Sequence, residues 1–116
     1  MRPFVILSII LCSFTSFAEA RSVVILDVRT PAEFNEGHLQ GARQLDFFDV
    51  DFRTRLAKLD KDVEYKIYCK SGGRARKASR LMSEMGFKHV ESLGGLNEAR
   101  SILRLPLEGK LNKVGI

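Results

Sequence analysis

The run Cys69-Lys70-Ser71-Gly72-Gly73-Arg74 brings a thiol, two cations and two glycines together in six positions. Cysteine often behaves as a small buried hydrophobe, but here the residues that follow it favour chemistry. Gly72 and Gly73 permit backbone conformations in which successive N–H groups converge on one point. A helix starting just beyond them adds its own unpaired N–H groups and the positive end of its dipole. Lys70, Arg74, Arg76, Lys77 and Arg80 add positive charge, and no Asp or Glu occurs between Glu64 and Glu84. Each of these features stabilises a thiolate over a thiol, and the thiolate is the nucleophile. The same cradle suits an oxyanion substrate. Two plainer readings compete, a cysteine that only fills the core and a Lys/Arg run that is only a solvated helix face. The conjunction of strand end, Gly-Gly loop and helix start favours chemistry.

That conjunction depends on the elements around it. Val23 to Asp27 is a short β-branched run of the kind that forms a strand buried on both faces. Thr30, Pro31 and Glu33 have the spacing of a capping box with proline at the first helical position, and Gly37 ends that turn. Arg43 to Phe48 is a weaker strand candidate near Leu45. Asp49 to Asp60 is expected to be helical, with Val50, Leu56 and Leu59 as its apolar positions. Val63 to Cys69 alternates like a strand and stops at the glycines. From Arg74 to Met85 the apolar Ala78, Leu81, Met82 and Met85 repeat at helical spacing, with Gly86 as a left-handed cap. His89 to Leu93 gives another strand before Gly94-Gly95, and a last helix begins near Leu96. This alternation predicts an α/β fold with a mainly parallel central sheet flanked by helices. Ligands of such sheets gather beyond the carboxyl ends of the strands, which is where Cys69 is expected.

The first twenty residues are read separately. Arg2, the apolar run Phe4 to Cys12 and the small-x-small Ala18-Glu19-Ala20 together predict a signal peptide at 1–20, cut after Ala20. The apolar run is too short to span a bilayer comfortably, and Leu11 before Cys12 does not suit lipid attachment. A periplasmic location follows, with no stable membrane insertion after cleavage. Residues 21–116 suffice for a single domain with one core. Arg2 and Glu19 leave together, so the formal net charge of +5 is unchanged. Cys12 leaves too, and Cys69 becomes a lone thiol in an oxidising compartment, which marks either intermolecular pairing or a reactive group. Without a resolving cysteine a redox dithiol is not expected. His38 and His89 are the only histidines, so no zinc site is expected, and no cofactor is called for. The basic balance fits a small anion, since no nucleic-acid reader motif is present.

The loop from Cys69 to Arg74 resembles the active-site loop of the rhodanese family of sulfurtransferases, commonly Cys-Arg/Lys-Ser-Gly-x-Arg. Leu26-Asp27-Val28-Arg29, Glu33-Phe34, Gly37-His38-Leu39 and Gly41-Ala42 resemble that family's first signature. Gly86-Phe87-Lys88-His89-Val90 and Leu93-Gly94-Gly95-Leu96 resemble its closing segment. Arg100 departs from it, standing near where many members carry tryptophan. The resemblance implies a rhodanese-like domain over 21–116 and a two-stage reaction. Cys69 takes the outer sulfur of thiosulfate as a persulfide, then passes it to cyanide or another thiophilic acceptor such as a thiol. It also implies that Lys70, Ser71, Gly72, Gly73 and Arg74 hold the anion, through loop N–H groups, the Ser71 hydroxyl and the two cations. Asp27 and Arg29 are expected to form a buried pair bracing the sheet edge, and His38 to lie outside the chemistry. Two alternatives stand beside this. A cysteine phosphatase or arsenate reductase of the same fold needs Cys-x5-Arg, whereas Ala75 follows Arg74 here and the spacing is Cys-x4-Arg, a tighter pocket. A non-enzymatic binding module of this fold typically lacks the cysteine.

Overall fold

The computed structural model describes residues 22–109, so the expected signal peptide and Cys12 lie outside the described residues. Strand β1 (Val23–Asp27) is followed by helix α1 (Pro31–Glu36), the two-residue strands β2 (His38–Leu39) and β3 (Arg43–Gln44), and helix α2 (Phe52–Ala57). Next come β4 (Glu64–Cys69), α3 (Gly73–Glu84), β5 (His89–Gly95), α4 (Leu96–Leu103) and β6 (Leu107–Glu108). The main sheet has the order β3-β1-β4-β5, and every pair in it is parallel. This is the α/β fold expected from the alternation of strands and helices.

The central strands are buried on both faces because β-strand side chains alternate. Tyr65, Ile67 and Cys69 of β4 join a core with Leu26, Phe52, Leu56, Ala75, Ala78, Met82 and Phe87, beneath α2 and α3. Tyr68 points the other way, packing with Leu39, Leu93 and Ala99 on the α4 side. Cys69 therefore faces the helix that follows it.

Local structure follows expectation where one residue type dictates a geometry. The Thr30 side chain accepts from Glu33 N, and Glu33 returns a bond to Thr30 N, completing the capping box of α1 with Pro31 at its start. Helix α3 ends at Glu84, and Gly86 just beyond its cap has a φ of +97°, the left-handed conformation glycine tolerates.

The region before β4 differs from expectation. Helix α2 is shorter than Asp49 to Asp60, and Val50 is 98 % exposed while Phe52 takes the core position. Asp46 and Asp49 explain this, since their carboxylates accept from Phe48 N and Asp51 N and hold the chain in turns. Such local bonds compete with regular structure. The expected strand around Leu45 shrinks to β3 for the same reason. Strand β1 lies inside the sheet between β3 and β4, so Asp27 closes the end of an inner strand and does not brace an edge. A small second sheet, β2 paired antiparallel with β6, was not anticipated, and two-residue strands leave no periodic signal.

Candidate active site

At the carboxyl end of β4 the chain turns through Lys70, Ser71 and Gly72 into α3. Gly72 has φ +106°, and a Cβ there would come within 3.3 Å of the Gly94 Cα. This close approach turns the loop's N–H groups inward. Gly72 N and Ala75 N both donate to Cys69 Sγ, at 2.9 Å and 3.5 Å. Cys69 is 1 % exposed, so its sulfur lies in a pocket made by its own loop. N–H groups aimed at a sulfur stabilise negative charge on it.

The position of Gly73 does not require glycine. It is the first residue of α3, and a Cβ there would meet nothing within 4 Å. Only Gly72 uses a conformation that requires glycine in this loop. The Ala75 N–H was not anticipated, because any residue but proline supplies one and the residue type carries no signal.

The outer wall of the loop is pinned to the end of β5. Ser71 forms an antiparallel bridge to Gly95, and a Cβ on Gly95 would overlap the Lys70 carbonyl oxygen. Glu98 of α4 accepts from Gly95 N at 3.0 Å and fixes that junction. Lys70 and Ser71 are exposed, and the Ser71 hydroxyl makes no hydrogen bond to a described residue.

Arg74 is not a free cation. Its Nη1 and Nη2 donate to Glu33 Oε1 and Oε2 at 2.8 and 3.0 Å, and its guanidinium sits 5.4 Å from the centroid of the Phe48 ring. The hydrogen bond from Arg74 is the main reason the Glu33 carboxyl is held down at about 2. The same pairing raises Arg74 above its ordinary value. No acid lies between Glu64 and Glu84 in sequence, yet the fold delivers one from α1. Arg76, Lys77 and Arg80 lie exposed on α3.

Asp27 and Arg29 form the expected buried pair at the end of β1. Arg29 Nη2 lies 2.7 Å from Asp27 Oδ2, Nε bonds both carboxylate oxygens, and Nη2 also donates to Gly37 O at 2.6 Å. His38 is tied elsewhere, with Nδ1 2.8 Å from Phe34 O, its ring stacked on Phe34, and Nε2 3.6 Å from Glu108 Oε2. These bonds link α1, β2 and β6. Beside the loop lies a cleft of about 290 Å³ lined by Arg29, Glu33, Glu36, Lys70, Leu96 and Asn97.

This geometry has counterparts among known proteins. Residues 14–101 match the Rhodanese-like domain. The chain is 38 % identical over 73 residues to the thiosulfate sulfurtransferase PspE of Escherichia coli strain K12, covering 63 % of this chain and 70 % of that one. It is 34 % identical over 77 residues to the thiosulfate sulfurtransferase GlpE of Shewanella oneidensis, covering 66 % and 74 %. A solved structure described as rhodanese with anions from E. coli is similar at a TM-score of 0.64 and 33 % identity, covering 76 % of this chain and 99 % of that one. With a cysteine cradled by its own loop and a domain match over most of its length, the chain belongs to the rhodanese family.

Proposed function

We propose that this protein is a sulfurtransferase that carries sulfur from thiosulfate to a thiophilic acceptor on Cys69. The observation that carries this is the Sγ of Cys69, buried at the end of β4 with Gly72 N at 2.9 Å and Ala75 N at 3.5 Å. In the first half-reaction the Cys69 thiolate attacks the outer sulfur of thiosulfate. The new S–S bond forms as the old one breaks, and sulfite leaves with the electron pair. The resulting persulfide keeps one negative charge, held by loop N–H groups. In the second half-reaction the acceptor attacks the outer sulfur. Cyanide leaves as thiocyanate, a thiolate leaves as its own persulfide, and Cys69 returns as thiolate. Charge and atoms balance in both steps, and each is nucleophilic displacement at sulfur.

Lys70, exposed beside the nucleophile, meets the incoming sulfonate. Ser71 offers its hydroxyl, while Gly72, Gly73 and Arg74 line the loop. Arg74 adds positive field from within its pair with Glu33, so direct contact with thiosulfate requires exchange with that carboxylate. Initial rates with thiosulfate and cyanide test the scheme. Two alternating half-reactions give parallel double-reciprocal lines, and Cys69→Ser lowers turnover on the order of a thousandfold or more with its circular dichroism unchanged. Converging lines, or substantial activity in Cys69→Ser, contradict the scheme.

The pattern Arg2, Phe4 to Cys12 and Ala18-Glu19-Ala20 supports export to the periplasm by a cleaved signal peptide. N-terminal sequencing of the protein from its native host is expected to begin at Arg21, and a product starting at Met1 contradicts export with cleavage.

A further inference from the structure

The cleft beside the loop has a charge pattern that donor binding does not explain. Two of its four charged residues are already paired, Glu33 with Arg74 and Arg29 with Asp27. That leaves one anion, Glu36, and one cation, Lys70, neither in an ion pair among the described residues, with apolar Leu96 and the amide of Asn97 between α1, the loop and α4. Arg29 is only 5 % exposed and lines this cleft, and its hydrogen bonds to Asp27 and Gly37 O run through N, Nε and Nη2. The Lys70 wall is fixed in place, because Gly95 abuts the Lys70 carbonyl and holds Leu96 and Asn97 beside it. A dianionic donor has no use for a carboxylate here, and Glu36 would repel it.

We propose that this cleft is the acceptor subsite and takes a small thiol bearing both an ammonium and a carboxylate, an amino-acid thiol of the cysteine class. Its carboxylate pairs with Lys70 and the Arg29 guanidinium at the cleft wall, its ammonium with Glu36, and its methylene rests on Leu96. The two half-reactions are separate in time, so Lys70 serves the sulfonate first and the acceptor's carboxylate after sulfite has left. The acceptor thiolate attacks the outer sulfur of the Cys69 persulfide, leaving as a persulfide anion and restoring the Cys69 thiolate. This assignment rests on the sulfur-transfer reading above.

The test compares cysteine, cysteamine, 3-mercaptopropionate and 2-mercaptoethanol as acceptors in the wild type and in Glu36→Gln. Taking the ratio for each thiol cancels its intrinsic reactivity. The exposed Glu36 is expected to matter by about threefold to fivefold in KM for cysteine and cysteamine. The other two thiols, and cyanide, are expected to keep their KM. Equal changes for all four thiols, or none for any, overturn the assignment. A second readout needs no turnover. The unreactive S-methylcysteine is expected to shift the amide resonances of Glu36, Lys70, Leu96 and Asn97 in the wild type, and shifts confined to other residues, or none at millimolar ligand, also overturn it. Sulfite release from thiosulfate and thiocyanate formation report the transfer reaction itself. If those are present while the thiols are not discriminated, only the cleft assignment falls; if those are absent, the transfer reading falls and the assignment with it.

Discussion

Adjacent parallel strands β1 and β4 end side by side, with Asp27 opposite Tyr68, yet their ends are built in opposite ways. At the end of β1 the charges are side chains that satisfy each other. Asp27 takes bonds from Arg29 N, Nε and Nη2, and Arg29 adds one to Gly37 O. At the end of β4 the polar groups aimed inward are main-chain N–H groups, and what they meet is a single sulfur. The first end spends its signature residues on holding the sheet and α1 together. The second keeps its donors on the backbone, where they survive any substitution that leaves the loop conformation intact. Charged residues near an active loop can thus be braces, while the chemistry sits on one atom and a backbone conformation.

The largest expected effect separates these two ends. Asp27→Asn leaves the buried Arg29 charge uncompensated, and breaking a buried pair costs about 3–5 kcal/mol. Chemical denaturation should show that loss, while sulfur transfer per folded molecule stays within a few-fold of wild type. A normal stability with abolished transfer would break the comparison, making the β1 end part of the chemistry. Next come the loop glycines. Gly72→Ala forces a side chain into φ +106° and against Gly94, at a cost of about 1–3 kcal/mol. It also turns the Gly72 N–H away from Cys69, so turnover falls with stability. Gly73→Ala meets nothing and removes a glycine from the start of a helix, so its stability should change by no more than about 1 kcal/mol. Similar losses from both substitutions, read by thermal denaturation and steady-state rates, would assign the nest to both residues.

The smallest effect concerns Arg74. Arg74→Ala removes a cation and exposes the partner carboxylate of Glu33, so KM for thiosulfate should rise on the order of tenfold with kcat less affected. The double variant Arg74→Ala/Glu33→Gln should recover part of that loss, since the orphaned carboxylate is gone. An unchanged KM in Arg74→Ala would leave the loop backbone and Lys70 as the whole anion site.

Much of this was legible in the chain because local rules decided it. The β-branched run at Val23 to Asp27, the Thr30-Pro31-Glu33 cap, the 3.6-residue repeat of α3 and the glycine after it each specify a geometry within a few residues. Cys69 at the junction of strand and helix followed from those elements. What could not be read depends on distant partners. Glu33 meets Arg74 from 41 positions away, and nothing near either residue announces it. The pairing of β2 with β6 joins two-residue segments from far-apart parts of the chain. Val50 misled because its helical spacing was overridden by the aspartate turns around it. Ala75 contributes only an N–H, which every non-proline residue has.

The central claim is that one sulfur atom rides on Cys69, and the intact mass of the protein after thiosulfate treatment tests it most directly. The wild type should gain the mass of a single sulfur, located by fragmentation to the segment holding Cys69. Cyanide should then remove that mass as thiocyanate, and Cys69→Ser should gain nothing. A wild-type mass unchanged by thiosulfate, or an equal gain in Cys69→Ser, would contradict the account.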